Sequence, residues 1–324
     1  MLSLFRRNHF FRSFLLLFYI GLLKLPMFFY PLFPEQPQGI FSDWVFEALP
    51  SKTGQLILMV MLVFLQAVFL NNLIIRNRMM REQNLFPGVI YALLTSLIPE
   101  TSGLSSALMG MTFILIALNF SFRMYKLPEF TGSVFQTGFW ISVAGLFYFP
   151  YFVFLIFLII SQSIVKFVKP LDIPRIVLGM LVPFLLIFYY YIWHNRIGDF
   201  FPEVFVAHAG FLNWPWKSDT IHYMRYAYIV LLVVGSLFNY NNYVKKKNVQ
   251  AIHKIDVLVW GSFFAGGSAL FAHPLEWSHL IVLYPFAACF IAMSLIQMRN
   301  FLMAEFVHIL IILVGFYLHY LTFM

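Results

Sequence analysis

Hydrophobic residues in this chain come in long runs broken by short polar loops, and such runs recur eleven times. A helix that crosses a bilayer needs about 20 mostly apolar residues. The runs at roughly 13–33, 54–75, 86–99, 104–122, 131–149, 150–167, 173–193, 223–240, 255–271, 280–298 and 301–321 therefore read as membrane helices. The expected fold is all-α, a polytopic transmembrane helix bundle making one domain over 1–324. The third run is short, and reads either as a full crossing or as a re-entrant hairpin with the fourth. Two polar intervals are long enough to fold, 34–53 and 194–221. The first carries Ile40, Phe41, Trp44, Val45, Phe46 and Leu49, the spacing of a short amphipathic helix lying in an interface. The second holds Trp214 and Trp216, expected as interfacial anchors.

Charge sets the expected orientation. Of the 21 Lys and Arg residues, 16 fall in the loops of one side, beginning with Arg6, Arg7 and Arg12. Cytoplasmic loops carry such an excess, so the N-terminus is expected inside and the C-terminus outside. No small-residue cleavage site follows the first run, which reads as a retained helix rather than a signal peptide. Composition agrees: the chain is 61% hydrophobic and 10% charged, more apolar surface than a soluble domain of this length hides. The net charge of +8 is absorbed by the orientation bias, so nucleic acid is not expected as a partner. A lone cysteine, Cys289, excludes an internal disulfide. Nucleotide-binding loops, dinucleotide fingerprints and nucleophile elbows are absent from the sequence. Short loops and strong charge bias fit a bacterial inner (cytoplasmic) membrane, with the lipid bilayer as the first partner.

Acidic residues lean to the other side, 8 of 13 falling in the expected outer regions. Asp43, in the first outer loop, reads either as a general base toward a hydroxyl or as a helix N-cap. Glu100, in LIPETSG, reads as a functional carboxylate at membrane depth or as part of a solvated turn. Lys24, inside the first run, either faces a cavity and attracts a phosphate or snorkels to the interface. Arg225 suits a lipid phosphate or pyrophosphate, or else an ion pair with Asp219. The loop HPLEWSH brings His273, Glu276 and His279 together, with His279 a candidate for substrate contact. Imidazole and carboxylate suit zinc or manganese, so a divalent metal is the one cofactor left open, although no tight ligand spacing is present.

Three segments then carry a resemblance. FSDWVFEALP places an acid and an apolar pattern in the first outer loop. RNRMMREQNLFPGVIYALLTSLIPE joins a basic inside turn to a short helix ending in proline, and TGFWISVAGLFYFP runs from glycine to proline across a helix pair. Over about the first 193 residues this layout resembles the membrane core of GT-C type glycosyltransferases, which take sugars from polyprenyl-phosphate carriers at the outer face. The resemblance implies that Asp43 is the base for the acceptor hydroxyl and that Glu100 orients substrate or metal. It implies that Arg225 holds the carrier phosphate, while Lys24 and His279 stand beside it as further candidates for substrate contact. Two departures are visible: Asp43 has no adjacent acid, and no soluble C-terminal domain follows. The chain also resembles an uncharacterised bacterial family of multi-pass membrane proteins, which implies no activity. The rival expectations are a non-enzymatic membrane subunit of an envelope assembly or export machine, working with a membrane protein partner, and a transporter.

Overall fold

A computed structural model of the chain describes residues 2–5, 10–29, 38–80, 82–124, 131–165, 170–211, 220–245, 247–298 and 300–323. Among these residues the fold is all-α, with no strand. In chain order the helices are α1 (Phe10–Phe29), α2 (Ile40–Ala48), α3 (Lys52–Arg76), α4 (Phe86–Leu94), α5 (Ser106–Arg123), α6 (Thr131–Phe147) and α7 (Phe154–Val165). They continue with α8 (Asp172–Trp193), α9 (Thr220–Leu237), α10 (Tyr240–Val244), α11 (Val249–Gly267), α12 (Tyr284–Gln297) and α13 (Phe301–Phe323). The helix starts follow capping chemistry. Ser51 accepts from the Gly54 N–H, Ser105 from that of Leu108 and Asn248 from that of Ala251, each filling a donor the helix cannot fill itself.

Three helices, α3, α5 and α8, are long and apolar enough to cross a membrane. Shorter apolar helical stretches, among them Ser13–Phe29, Tyr284–Gln297 and Phe301–Tyr317, accompany them among the described residues. Large apolar side chains face outward on α8, where Leu178, Leu186 and Tyr189 are all more than half exposed. A soluble protein seldom leaves such a face bare. These features are compatible with a membrane protein.

The third apolar run departs from a full crossing. Its helix, α4, has nine residues, all buried, and reaches about 13 Å, less than half a bilayer core. It packs between α3 and α12. Gly88 lets it approach α3: a Cβ there would sit 2.6 Å from the Ala67 carbonyl oxygen, and the Gly88 N–H donates to Asn71 Oδ1 at 2.7 Å.

Polar pins hold the apolar helices in register. Gln66, midway along α3, donates to the Leu108 carbonyl and to Thr112 Oγ1 on α5, and accepts from Tyr91 of α4. Tyr151 donates to the Ala107 carbonyl, and Tyr19 of α1 pairs with His308 of α13 at 3.0 Å. Between α6 and α8 contact is closest where Gly138 faces Ile176 and Gly179 faces Phe135; Ser142 of α6 donates to the Met180 carbonyl alongside. Small residues there let two backbones meet, as in membrane helix pairs.

A side chain at Gly179 has nowhere to go, since its Cβ would lie 2.2 Å from the Phe135 carbonyl oxygen. Gly179→Leu is expected to destabilise the protein by at least the ~1–3 kcal/mol typical of overpacking. Gly21→Leu, where a Cβ meets open space, is expected to be neutral. Thermal melting of the two variants in detergent distinguishes them.

Candidate functional site

The segment that leads into α2 is fastened before the helix begins. The Gln38 N–H donates to Ser106 Oγ, the Ser106 hydroxyl donates to Ser42 Oγ, and Ser42 donates to the Gly39 carbonyl. The Gln38 carbonyl accepts from the Phe149 N–H, and its side-chain amide donates to the Pro274 carbonyl. Glycine stands at 39 because a Cβ there would lie 2.4 Å from the Phe147 carbonyl oxygen. This anchors α2 on the ends of α5 and α6 and on the 272–276 loop.

Gly39, not Asp43, is the N-cap of α2, so the capping alternative for Asp43 is set aside. Asp43 lies one turn in, its N–H bonded to the Gly39 carbonyl, with its side chain about a third exposed (34%). Its Oδ2 is 3.5 Å from Nε2 of His208, a residue only 11% exposed in the segment that follows α8. A carboxylate and an imidazole 165 positions apart thus meet at the surface. His208 is one of nine histidines in the chain, and nothing in the sequence ties it to Asp43.

Lys24 neither reaches outward nor opens into a cavity. It is fully buried, and its Nζ donates to the Thr95 carbonyl at 2.5 Å and the Ser102 carbonyl at 3.2 Å. The snorkelling alternative is thereby overturned, because the last turn of α4 stops inside the protein and needs donors there. Glu100 sits on the 3-10 turn Pro99–Thr101 that follows, half-buried, while its neighbours Thr101 and Ser102 are wholly buried. The turn is therefore not a solvated one. It packs on the 3-10 segment Trp277–Val282, and the Glu100 charge reaches Tyr284 at the start of α12.

His279 lies in that segment, and both ring nitrogens are engaged. Tyr148 OH is 2.7 Å from Nδ1, and Ser268 Oγ is 3.3 Å from Nε2. Because the Ser268 hydroxyl donates to the Ala265 carbonyl, this network assigns Nε2 as the protonated nitrogen and Nδ1 as acceptor from Tyr148. Burial pushes the imidazole down to about 4, partly offset by its hydrogen bond to the Ala265 backbone carbonyl.

One end of the bundle thus gathers the segments bearing Asp43, Glu100 and His279, with Lys24 beneath them. The side chain of Arg225, and Asp219, Trp214 and Trp216, lie outside the described residues. The metal alternative for HPLEWSH gains no geometry. His273 faces the Phe211 carbonyl, His279 is spent on Tyr148 and Ser268, and no three His, Cys, Asp or Glu side chains converge among the described residues. No protein-family model, curated protein or solved structure matches the chain.

Two outcomes follow from the buried pair. Lys24→Met leaves two buried carbonyls short of a donor and is expected to cost ~1–3 kcal/mol, read as a lower melting temperature. A lysine serving only a bound phosphate would leave melting unchanged. For His279, the unfolded chain takes up a proton near its ordinary value of about 6.5, while the folded protein does so only near 4. Between those values the unfolded state binds more protons, so stability is full above about pH 6.5 and falls as pH drops toward 4. The loss is about 3 kcal/mol in all. Melting measured from pH 7.5 to 4 should show this slope, and His279→Asn should flatten it.

Proposed function

We propose that the protein is a multi-pass membrane glycosyltransferase-like enzyme that moves a sugar from a polyprenyl-phosphate carrier at the outer face of a bacterial inner membrane. Eleven apolar runs, with the N-terminus inside and the C-terminus outside, give the topology. The half-length α4 and its turn make the outward leg of the third run. The observation that carries the reading is Asp43, partly exposed on α2 and paired with His208.

In this reading Asp43 takes the proton of the acceptor hydroxyl as its oxygen attacks the anomeric carbon. The bond from that carbon to the phosphate oxygen breaks, and the phosphate leaves on its carrier. His208, against the Asp43 Oδ2, positions the carboxylate until the acceptor arrives. Arg225, at the head of α9, is the basic residue assigned to the leaving phosphate. Glu100, on the neighbouring turn, orients the acceptor.

A second reading, a non-enzymatic subunit of an envelope assembly, is favoured by one specific observation. Lys24 and His279, two of the polar groups nominated for substrate, are held by internal partners.

With the protein in nanodiscs supplied with a polyprenyl-phosphate-linked hexose and its acceptor glycan, Asp43→Asn is expected to lower transfer ~10²–10⁴-fold without altering melting. His208→Ala is expected to lower it less and to shift its pH profile. Undiminished transfer by the Asp43 variant would sink the assignment, and a stoichiometric membrane partner co-purifying with a transfer-silent protein would establish the subunit reading.

A further inference from the structure

Between the C-terminal turn of α11 and the 275–283 segment lies a cleft of about 170 Å³. Three other cavities among the described residues measure about 10–20 Å³, the size of one water molecule. One wall of the cleft is Ala265, Gly266 and Ala269; the other is Leu275, Leu280 and Leu283. Small residues on the helix side create the room: at Gly266 a Cβ would meet nothing within 4 Å. The cleft's polar lining comes from His279, whose nitrogens are already taken, and from Glu276. It opens beside an outward apolar face, where Phe263 and Leu270 are 64% and 55% exposed.

We propose that this cleft binds the apolar chain of a membrane amphiphile whose head group is a hydrogen-bond donor and not an anion. Volume sets the chain: an apolar cavity of about 150 Å³ holds one benzene ring, so this one takes a short stretch of alkyl or isoprenoid chain. Access comes from the exposed apolar side, where lipid chains are the surrounding medium. Charge selects the head: the Glu276 carboxyl, whose Oε2 already accepts from the Ser278 hydroxyl, presents acceptor oxygens to a hydroxyl and, when ionised, repels a phosphate. A polyprenyl phosphate is thereby disfavoured here, and a hydroxyl-bearing lipid fits. The site does not rest on the transferase reading, and an Asp43→Asn protein is expected to bind the amphiphile as wild type does.

Photolabelling tests it, using a diazirine-bearing dodecanol on the full-length protein in nanodiscs, with peptides mapped by mass spectrometry. Label is expected to concentrate in the 260–283 region and to be suppressed by excess plain dodecanol. Gly266→Trp and, independently, Ala269→Leu fill the cleft and are expected to reduce that label at least about fivefold. Gly21→Trp, which also points into open space but on α1, is expected to leave it intact. The matching dodecyl phosphate probe is expected to label wild type several-fold less, with Glu276→Gln restoring it. Label spread evenly over α8 and α11, or unmoved by both filling variants, would show ordinary bilayer contact and overturn the site. Equal labelling by the phosphate probe would overturn the head-group selection.

Discussion

A helix that ends inside an apolar bundle has its last carbonyls to satisfy without water. That constraint governs the centre of this protein. At the end of α4 every acceptor is met in turn. The Tyr91 carbonyl takes the Thr95 N–H, that of Ala92 takes the Thr95 and Ser96 hydroxyls, and those of Leu93 and Leu94 take the N–H groups of Ser96 and Leu97. Beyond the helix, Ile98 is served by Thr101 and Ser102, and Thr95 by Ser102 and Lys24. The hydroxyl-rich stretch around Pro99 is thus a cap carried within the chain, and Lys24 ties it to α1. Without that set α4 would have to run on or expose its end, and the turn carrying Glu100 would lose its place.

From this buried cap the end of the bundle that bears Asp43 is assembled by short polar links rather than by one large apolar contact. Ser106 joins α5 to the segment before α2, Gln38 joins that segment to Pro274, and Pro99–Thr101 packs on Trp277–Val282. Each such hydrogen bond contributes about 1 kcal/mol net, but leaving any one unmade in a buried setting costs more. The links therefore fix position more than they add stability. Segments far apart in sequence arrive at one face with Asp43, Glu100 and His279 on them.

The helices were legible because hydropathy is a local signal. The α2 helix followed from Ile40, Phe41 and Trp44, and the shortness of the run at 86–99 was visible before its reason was. What could not be read was pairing. Lys24 offered two plausible fates, yet its partners are main-chain carbonyls 71 and 78 residues away, which leave no mark in a sequence. His208 was one histidine among several until the fold set it beside Asp43. Gly39 displaced Asp43 as the cap because the backbone at Phe147 leaves no space for a Cβ, a constraint belonging to tertiary packing. Gln66 was the one missed residue with a signal of its own, a primary amide in the middle of VFLQAVF, where burial is costly unless hydrogen-bonded.

Where chemistry can occur follows from which polar groups are free to change partners. Lys24 and His279 are wholly or almost wholly buried, and drawing either away would strand carbonyl or hydroxyl groups in a low-dielectric interior. A ligand would have to repay that cost before gaining anything. The Asp43–His208 pair is different. At 3.5 Å and with the carboxylate a third exposed, it is a partly solvated surface contact of the kind worth at most about 1 kcal/mol, and a solvated hydroxyl can replace it at little cost. The same fold that locks its interior polar groups leaves this carboxylate available. Asp43 is therefore less committed to internal partners than Lys24 or His279, which is the physical ground for preferring it in the proposed transfer.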